Sequence, residues 1–337
     1  MPVVKNKFYY RDILKKAFKI IKENKFLWVF GFFAAAMGGI GELDSAFSNY
    51  TDISNKTDSI FNLQTLYQGG VIWTMFDNMQ GFFTSYSWQA FILVLITAVV
   101  FCIIIWLSII SQISLFDAAY KLSKKRKTGY AEGYHIGNKK FSSVLLINVG
   151  FKILLYALFI VIASPLVSWF LLRDSVWGGI LFVILLFFIY IPISIIVSFI
   201  IKYTIAFIVI KGKKTWESVM LSWKLFKKYW LVNIEMALII LAIGIVVGFF
   251  ILLVLGLVSV PFVLIGISAL FFGSSTGLTV AVIVGMIAWF VVISIMGSSF
   301  AAFQYTVWTL LFLDLINDRA ESKLKRFIEI FSKKKKK

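Results

Sequence analysis

Long apolar runs separated by short polar, lysine-rich stretches dominate the chain. Six apolar blocks stand out: 26–40, 89–116, 144–172, 180–201, 231–260 and 278–313. A helix needs about 20 apolar residues to cross a hydrocarbon layer about 30 Å thick, so these blocks predict six spanning helices. The first is the shortest and needs the last turn of the segment before it, or a locally thin bilayer, to cross. The fifth runs on apolar past Pro261 to Phe272, where a kink, a re-entrant piece or an interfacial helix is expected before the turn at 273–277. Pro192 lies inside the fourth block and should bend it by releasing the carbonyl of Phe188.

Two of the polar stretches carry a second period. In residues 1–25 the apolar positions Tyr10, Ile13, Leu14, Ala17, Phe18 and Ile21 follow helical spacing, with Arg11, Lys15, Lys16, Lys19 and Lys22 among them. Before the fifth block, Trp216, Val219, Met220, Trp223, Phe226 and Trp230 make a similar stripe beside Lys224, Lys227 and Lys228. Amphipathic basic helices of this kind lie in the headgroup plane. The arms also share a layout of an acidic residue, a small residue five later and a lysine seven later: Asp12, Ala17 and Lys19; Glu132, Gly137 and Lys139; Glu217, Ser222 and Lys224. Each precedes an apolar block, which predicts a unit of one arm and two helices used three times. Amphipathic lead-in helices that agree by chance would give the same pattern.

Composition agrees with the pattern. The chain has 337 residues, is 60% apolar and has a mean hydropathy of +0.91, well beyond the 45 to 50% apolar share of a soluble domain. The expected fold class is therefore an all-α integral membrane protein, a six-helix transmembrane bundle with interfacial amphipathic helices, in a single membrane domain over 1–337.

Charge sets the orientation. Of 34 Lys and Arg, 31 fall in residues 1–25, 117–143, 202–230 and 314–337, while the stretches between the other block ends hold only Lys56 and Arg173. The positive-inside rule makes the basic side cytoplasmic. Both termini are then inside, the 314–337 tail is a basic cytoplasmic end, and 41–88 is an outer loop too small for a catalytic core of its own. The lysines, the apolar run and Ala34-Ala35-Ala36 also resemble a secretory signal with its cleavage site, although 25 amphipathic residues make a long lead for one. A net charge of +18 would ordinarily point to nucleic acid. Here it follows topology, and no nucleic-acid partner is expected.

Candidate chemistry is sparse. One histidine, His135, and one cysteine, Cys102, exclude a disulfide framework and a zinc site built on several His or Cys ligands. His135 reads as an interfacial or solvated residue and Cys102 as a small apolar side chain inside a span. No carboxylate pair or nucleophile constellation appears, so no catalytic, cofactor or metal site is expected. Lys152 and Glu235 are the two charges within apolar blocks. At matched depth they can offset each other's cost as an intramembrane charge pair, or each can snorkel separately.

The segment from Thr215 to Phe250, the earlier stretch from Ala131 to Phe151 and the six-span layout resemble prokaryotic membrane proteins of the glycerophosphoryl diester phosphodiesterase membrane-domain type and their relatives. The likeness covers nearly the whole chain through hydrophobic motifs of low specificity. It implies a prokaryotic cytoplasmic membrane. The catalytic histidines of the phosphodiesterase barrel that can follow that domain have no counterpart here, so the resemblance carries no activity. The expected function is that of a non-enzymatic accessory or scaffold, binding membrane lipids or a membrane-protein partner. Its anionic-headgroup contacts would be Lys15, Lys16, Lys19, Lys22, Lys224, Lys227 and Lys228. The alternative is a transporter or channel for a small solute or lipid, favoured by repeats, proline-bent helices and intramembrane charge.

Overall fold

The computed structural model describes residues 9–36, 87–172 and 176–318, without the side chains of 9, 36, 87, 89–90, 162–172 and 176–187. Most of the outer loop, the end of the first apolar block and the basic tail beyond 318 lie outside the described residues. Among those described there is no strand. Seven helices follow in order: α1 Tyr9–Glu23, α2 Phe26–Ala36, α3 Ser87–Ser123, α4 Tyr130–Leu172, α5 Val176–Lys211, α6 Thr215–Phe271 and α7 Ser275–Ile316.

α3 to α7 are each long and apolar enough to cross a bilayer, and the chain is a polytopic integral membrane protein. The count of six changes at α2. Its 11 described residues rise only about 16 Å, roughly half a hydrocarbon core, so five helices rather than six meet the length among the described residues.

One expectation about α6 is corrected. The helix runs through Pro261 to Phe271, so 261–271 is neither a re-entrant piece nor a separate interfacial helix. The break comes instead at Tyr229, whose φ of −125° and ψ of 27° leave the helical region. That residue separates the basic arm from the apolar run. Gly273, at φ +64°, closes the far end in a conformation that costs glycine little, and the Ser274 hydroxyl then accepts from the Gly277 N–H to start α7.

The described chain divides into two compact units. One comprises 1–39, 108–144 and 202–337, the other 40–107 and 145–201. In the first, the core is built from the ends of α3, α5 and α7. Phe116 meets Tyr305 edge-on at 5.5 Å, Tyr203 stacks on Phe312 at 6.0 Å, and Phe207 meets the same ring at 4.8 Å. Lys202 lies over the Trp308 ring, 4.8 Å from its centre. α1, α2 and α6 each pack on α7. The second unit has Phe159 edge-on to Tyr190 at 5.5 Å and exposes Phe91, Phe101, Leu154 and Phe188. The far parts of α6 and α7 in the first unit are equally apolar and exposed, from Ile245 to Phe271 and from Val280 to Ile295. Contiguous apolar surface on this scale marks contact with lipid rather than water.

Candidate functional site: three basic arms on a polar layer

The first arm, α1, is held by one face. Tyr10, Ile13, Ala17, Ile20 and Ile21 are buried, whereas Arg11, Lys15, Lys16, Lys19 and Lys22 are exposed. Phe18, expected in the apolar stripe, is 64% exposed, because the buried face is centred on Ala17 and Phe18 lies a further 100° round the helix. Lys19 and Glu23 form an exposed pair at 3.8 Å, which contributes little to stability. The Tyr10 hydroxyl donates to the Glu235 carboxylate on α6.

The second arm is the start of α4. Gly133 and Gly137 are buried. The Ser114 hydroxyl lies 2.7 Å from the carbonyl oxygens of both Gly133 and Ile110. A Cβ added at Gly137 would come within 2.6 Å of Ile110 Cγ2 and 3.0 Å of its carbonyl oxygen, so only glycine allows this approach. Lys121 bridges the helix ends, 2.7 Å from Asp117 and 2.6 Å from Glu132. Tyr130 stacks on Phe30 at 5.0 Å. His135 is exposed, as a solvated or interfacial residue should be.

The third arm, Thr215 to Lys228 of α6, divides the expected stripe, since Phe226 is buried and the tryptophans are not. Its buried positions are Ser218, Ser222 and Phe226, while Trp216, Met220 and Trp223, and Trp230 just past the break, are exposed. Thr204 and Ser222 are joined hydroxyl to hydroxyl at 3.1 Å, and Ser222 donates to the Ser218 carbonyl at 2.6 Å. Two hydroxyls that satisfy each other and the helix carbonyls can be buried at little cost. Lys224 and Lys227 are exposed, the latter 5.0 Å above the Trp223 ring. Lys228 is committed elsewhere: its ammonium lies 2.5 Å from Asp318, which also accepts from the Tyr229 hydroxyl. These two donors hold the Asp318 carboxyl below its ordinary value.

Beneath the arms lies a polar layer that hydropathy does not single out. Ser108, Ser111, Gln112, Ser114, Thr204, Asn233, Gln304, Thr306 and Thr309 are all buried. The Tyr203 hydroxyl donates to Asn233, and Thr306 and Thr309 turn back to the carbonyls of Ala302 and Tyr305, each at 2.8 Å. One sequence signal runs through the layer: Gln112-Ile113-Ser114, Lys202-Tyr203-Thr204 and Gln304-Tyr305-Thr306, each ending on a hydroxyl with no exposed surface.

Of the other candidates, Cys102 is exposed on α3, in the second unit. Lys152 belongs to the second unit and Glu235 to the first. No group of three or more His, Cys, Asp or Glu side chains among the described residues is placed to hold a metal ion. No family model, curated protein or solved structure matches the chain.

Proposed function

We propose that this membrane protein is a non-enzymatic accessory or scaffold of a prokaryotic cytoplasmic membrane, and that it binds anionic lipid headgroups through its basic arms. The observation that carries the reading is the split of α1. One face is packed into the protein, and Lys15, Lys16, Lys19 and Lys22 are exposed on the rest of the helix. A juxtamembrane lysine facing an anionic leaflet contributes about 1 kcal/mol before salt screening, so four on one helix select an anionic surface strongly. The test is mass spectrometry of lipids retained by the purified protein. The quadruple Gln variant of these lysines should lose anionic lipid while keeping its folded yield. Unchanged retention would sink the reading.

The three-unit layout is part of the same proposal. Each arm lies on the second helix of the unit before it: α1 on α7, Gly137 of α4 on Ile110 of α3, and Ser222 of α6 on Thr204 of α5. The small residue of the shared pattern is the buried one in all three. Thirteen residues beyond it, Phe30 and Glu235 meet Tyr130 and Tyr10, which stand at matching positions of the following arm. This cyclic order favours repetition over coincidence. It makes the arms a ring of similar contacts rather than one special site.

A further inference from the structure

The arms differ in what they leave outside, and this assigns them different tasks. α1 buries its aliphatic face and exposes charge. The third arm buries two serines and exposes tryptophan: Trp216 is 75% exposed, Met220 51%, Trp223 42% and Trp230 53%. Trp216, Met220 and Trp223 share one face at i, i+4 and i+7, and Trp230 stands just past the break at Tyr229. Serine is a poor reason to bury a face and tryptophan a poor residue to leave in water. The arrangement makes sense only if something apolar covers the outer side.

Three observations identify the cover as lipid. Beyond Tyr229, Trp230, Ile234, Leu238, Ile245 and Phe249 of the spanning part of α6 are exposed and apolar as well. From Leu231 to Phe272 the sole charge is Glu235, so the stripe joins a surface that only hydrocarbon can cover. Its residue types are those of the membrane boundary, where indole rings sit at headgroup level and lysines reach phosphate. Lys224 and Lys227 flank the stripe, and Lys227 lies over Trp223. Finally, the backbone leaves the helical region at Tyr229, so the arm is free of the direction of the span that follows it and can lie along the surface.

We propose that the third arm is a lipid-inserted foot. The Trp216, Met220 and Trp223 face sits in the headgroup and upper acyl region of the leaflet on the basic side, with Lys224 and Lys227 meeting anionic phosphates, while the first arm meets that leaflet chiefly through its lysines, with Phe18 exposed among them. The proposal rests on the arms being the lipid-facing part of the protein but not on their headgroup selectivity.

The test uses the full-length chain with Cys102→Ala, reconstituted in vesicles of neutral phosphatidylcholine and in vesicles containing phosphatidylglycerol. An environment-sensitive fluorophore is attached at Met220→Cys, at Trp216→Cys as a second position on the same face, and at Lys15→Cys on the first arm. The labels at 216 and 220 should emit blue-shifted light in both vesicle types. Lipids brominated on the acyl chain should quench them at least about twofold more than the label at 15, and aqueous iodide should quench the label at 15 more. If the labels at 216 and 220 are quenched by iodide like the label at 15, the foot does not exist. Blue-shifted emission without bromolipid quenching would mean that protein covers the face, and would equally overturn the proposal. If headgroup selectivity fails but bromolipid quenching persists in neutral vesicles, the function reading falls and the foot stands.

Discussion

The hydroxyl of Tyr10 donates a hydrogen bond to the carboxylate of Glu235, tying the first arm to a spanning helix more than 200 positions later in the chain. Glu235 is the acidic residue inside an apolar block, where a polar group without partners is costly. Tyr10 is itself buried. The contact therefore fixes the arm and shelters the carboxylate at once.

Tyr10→Phe keeps the ring and removes the donor. It should destabilise the detergent-solubilised protein by about 1 to 3 kcal/mol, the usual worth of a hydrogen bond to a charged group, seen as a lower thermal midpoint. Tyr10→Phe in a Glu235→Leu background should cost much less, because the acceptor is already gone. Equal losses in both backgrounds would mean that the ring, not the hydroxyl, holds the arm.

Close helix contacts supply a second prediction. A Cβ at Gly31 would stand 2.1 Å from the carbonyl oxygen of Ser298 and 3.2 Å from Ala302 Cβ, whereas one at Gly248 would meet nothing within 4 Å. Gly31→Ala should force α2 off α7 and cost about 1 to 3 kcal/mol or more, as overpacking does, and Gly137→Ala should behave alike against Ile110. Gly248→Ala should be neutral or stabilise by up to about 1 kcal/mol. Matching melting temperatures for Gly31→Ala and Gly248→Ala would contradict the packing.

These glycines show what was legible in the sequence. Long helices could be read directly, since apolar runs of this length have few other outcomes. Which face of a helix meets protein could not, because hydropathy gives lipid and protein interior the same sign. Hence glycines that look alike in the sequence differ in the fold: a Cβ at Gly31 or Gly137 would strike a neighbouring helix, while one at Gly248 or Gly297 would meet open space. For the same reason Phe226 reads as one more member of the Trp216 to Trp230 stripe, although it is buried with Ser218 and Ser222 while the tryptophans are exposed. Pro261 announced a break that the helix absorbs. Tyr229, an ordinary helix former by type, carries the real one, where its hydroxyl and Lys228 both reach Asp318.

Topology gives a third prediction. Ser87 and Ser123 end a single helix of 37 residues, about 55 Å long, too long to lie within a bilayer of about 30 Å unless its ends emerge on opposite faces. With Cys102→Ala as background, cysteine at Ser87 should react with an impermeant thiol reagent in intact cells, and cysteine at Ser123 only after lysis. Labelling of Ser123 in intact cells would reverse the orientation read from the lysines.

The last prediction follows from the end of α7. Asp318 has a left-handed backbone with φ of 52°, which ends the helix and places its carboxylate between Lys228 and Tyr229 at the break in α6. Both donors favour the charged carboxylate, so its folded-state pKa lies below the ordinary 3.8. The unfolded chain then binds the proton more readily, and stability rises with pH through this window. The contribution of the clasp is complete above the ordinary carboxylate value and disappears as pH falls through the lowered one. The group is solvent-exposed, so the effect is small and weakens with salt. Asp318→Asn keeps the shape and removes the charge. Its thermal midpoint should sit below that of the wild type by a constant margin at neutral and mildly acidic pH, and the two should converge in strong acid. A margin that widened toward acid would mean that Asp318 is held in its neutral form, and that the clasp on Tyr229 is not the ion pair its geometry describes.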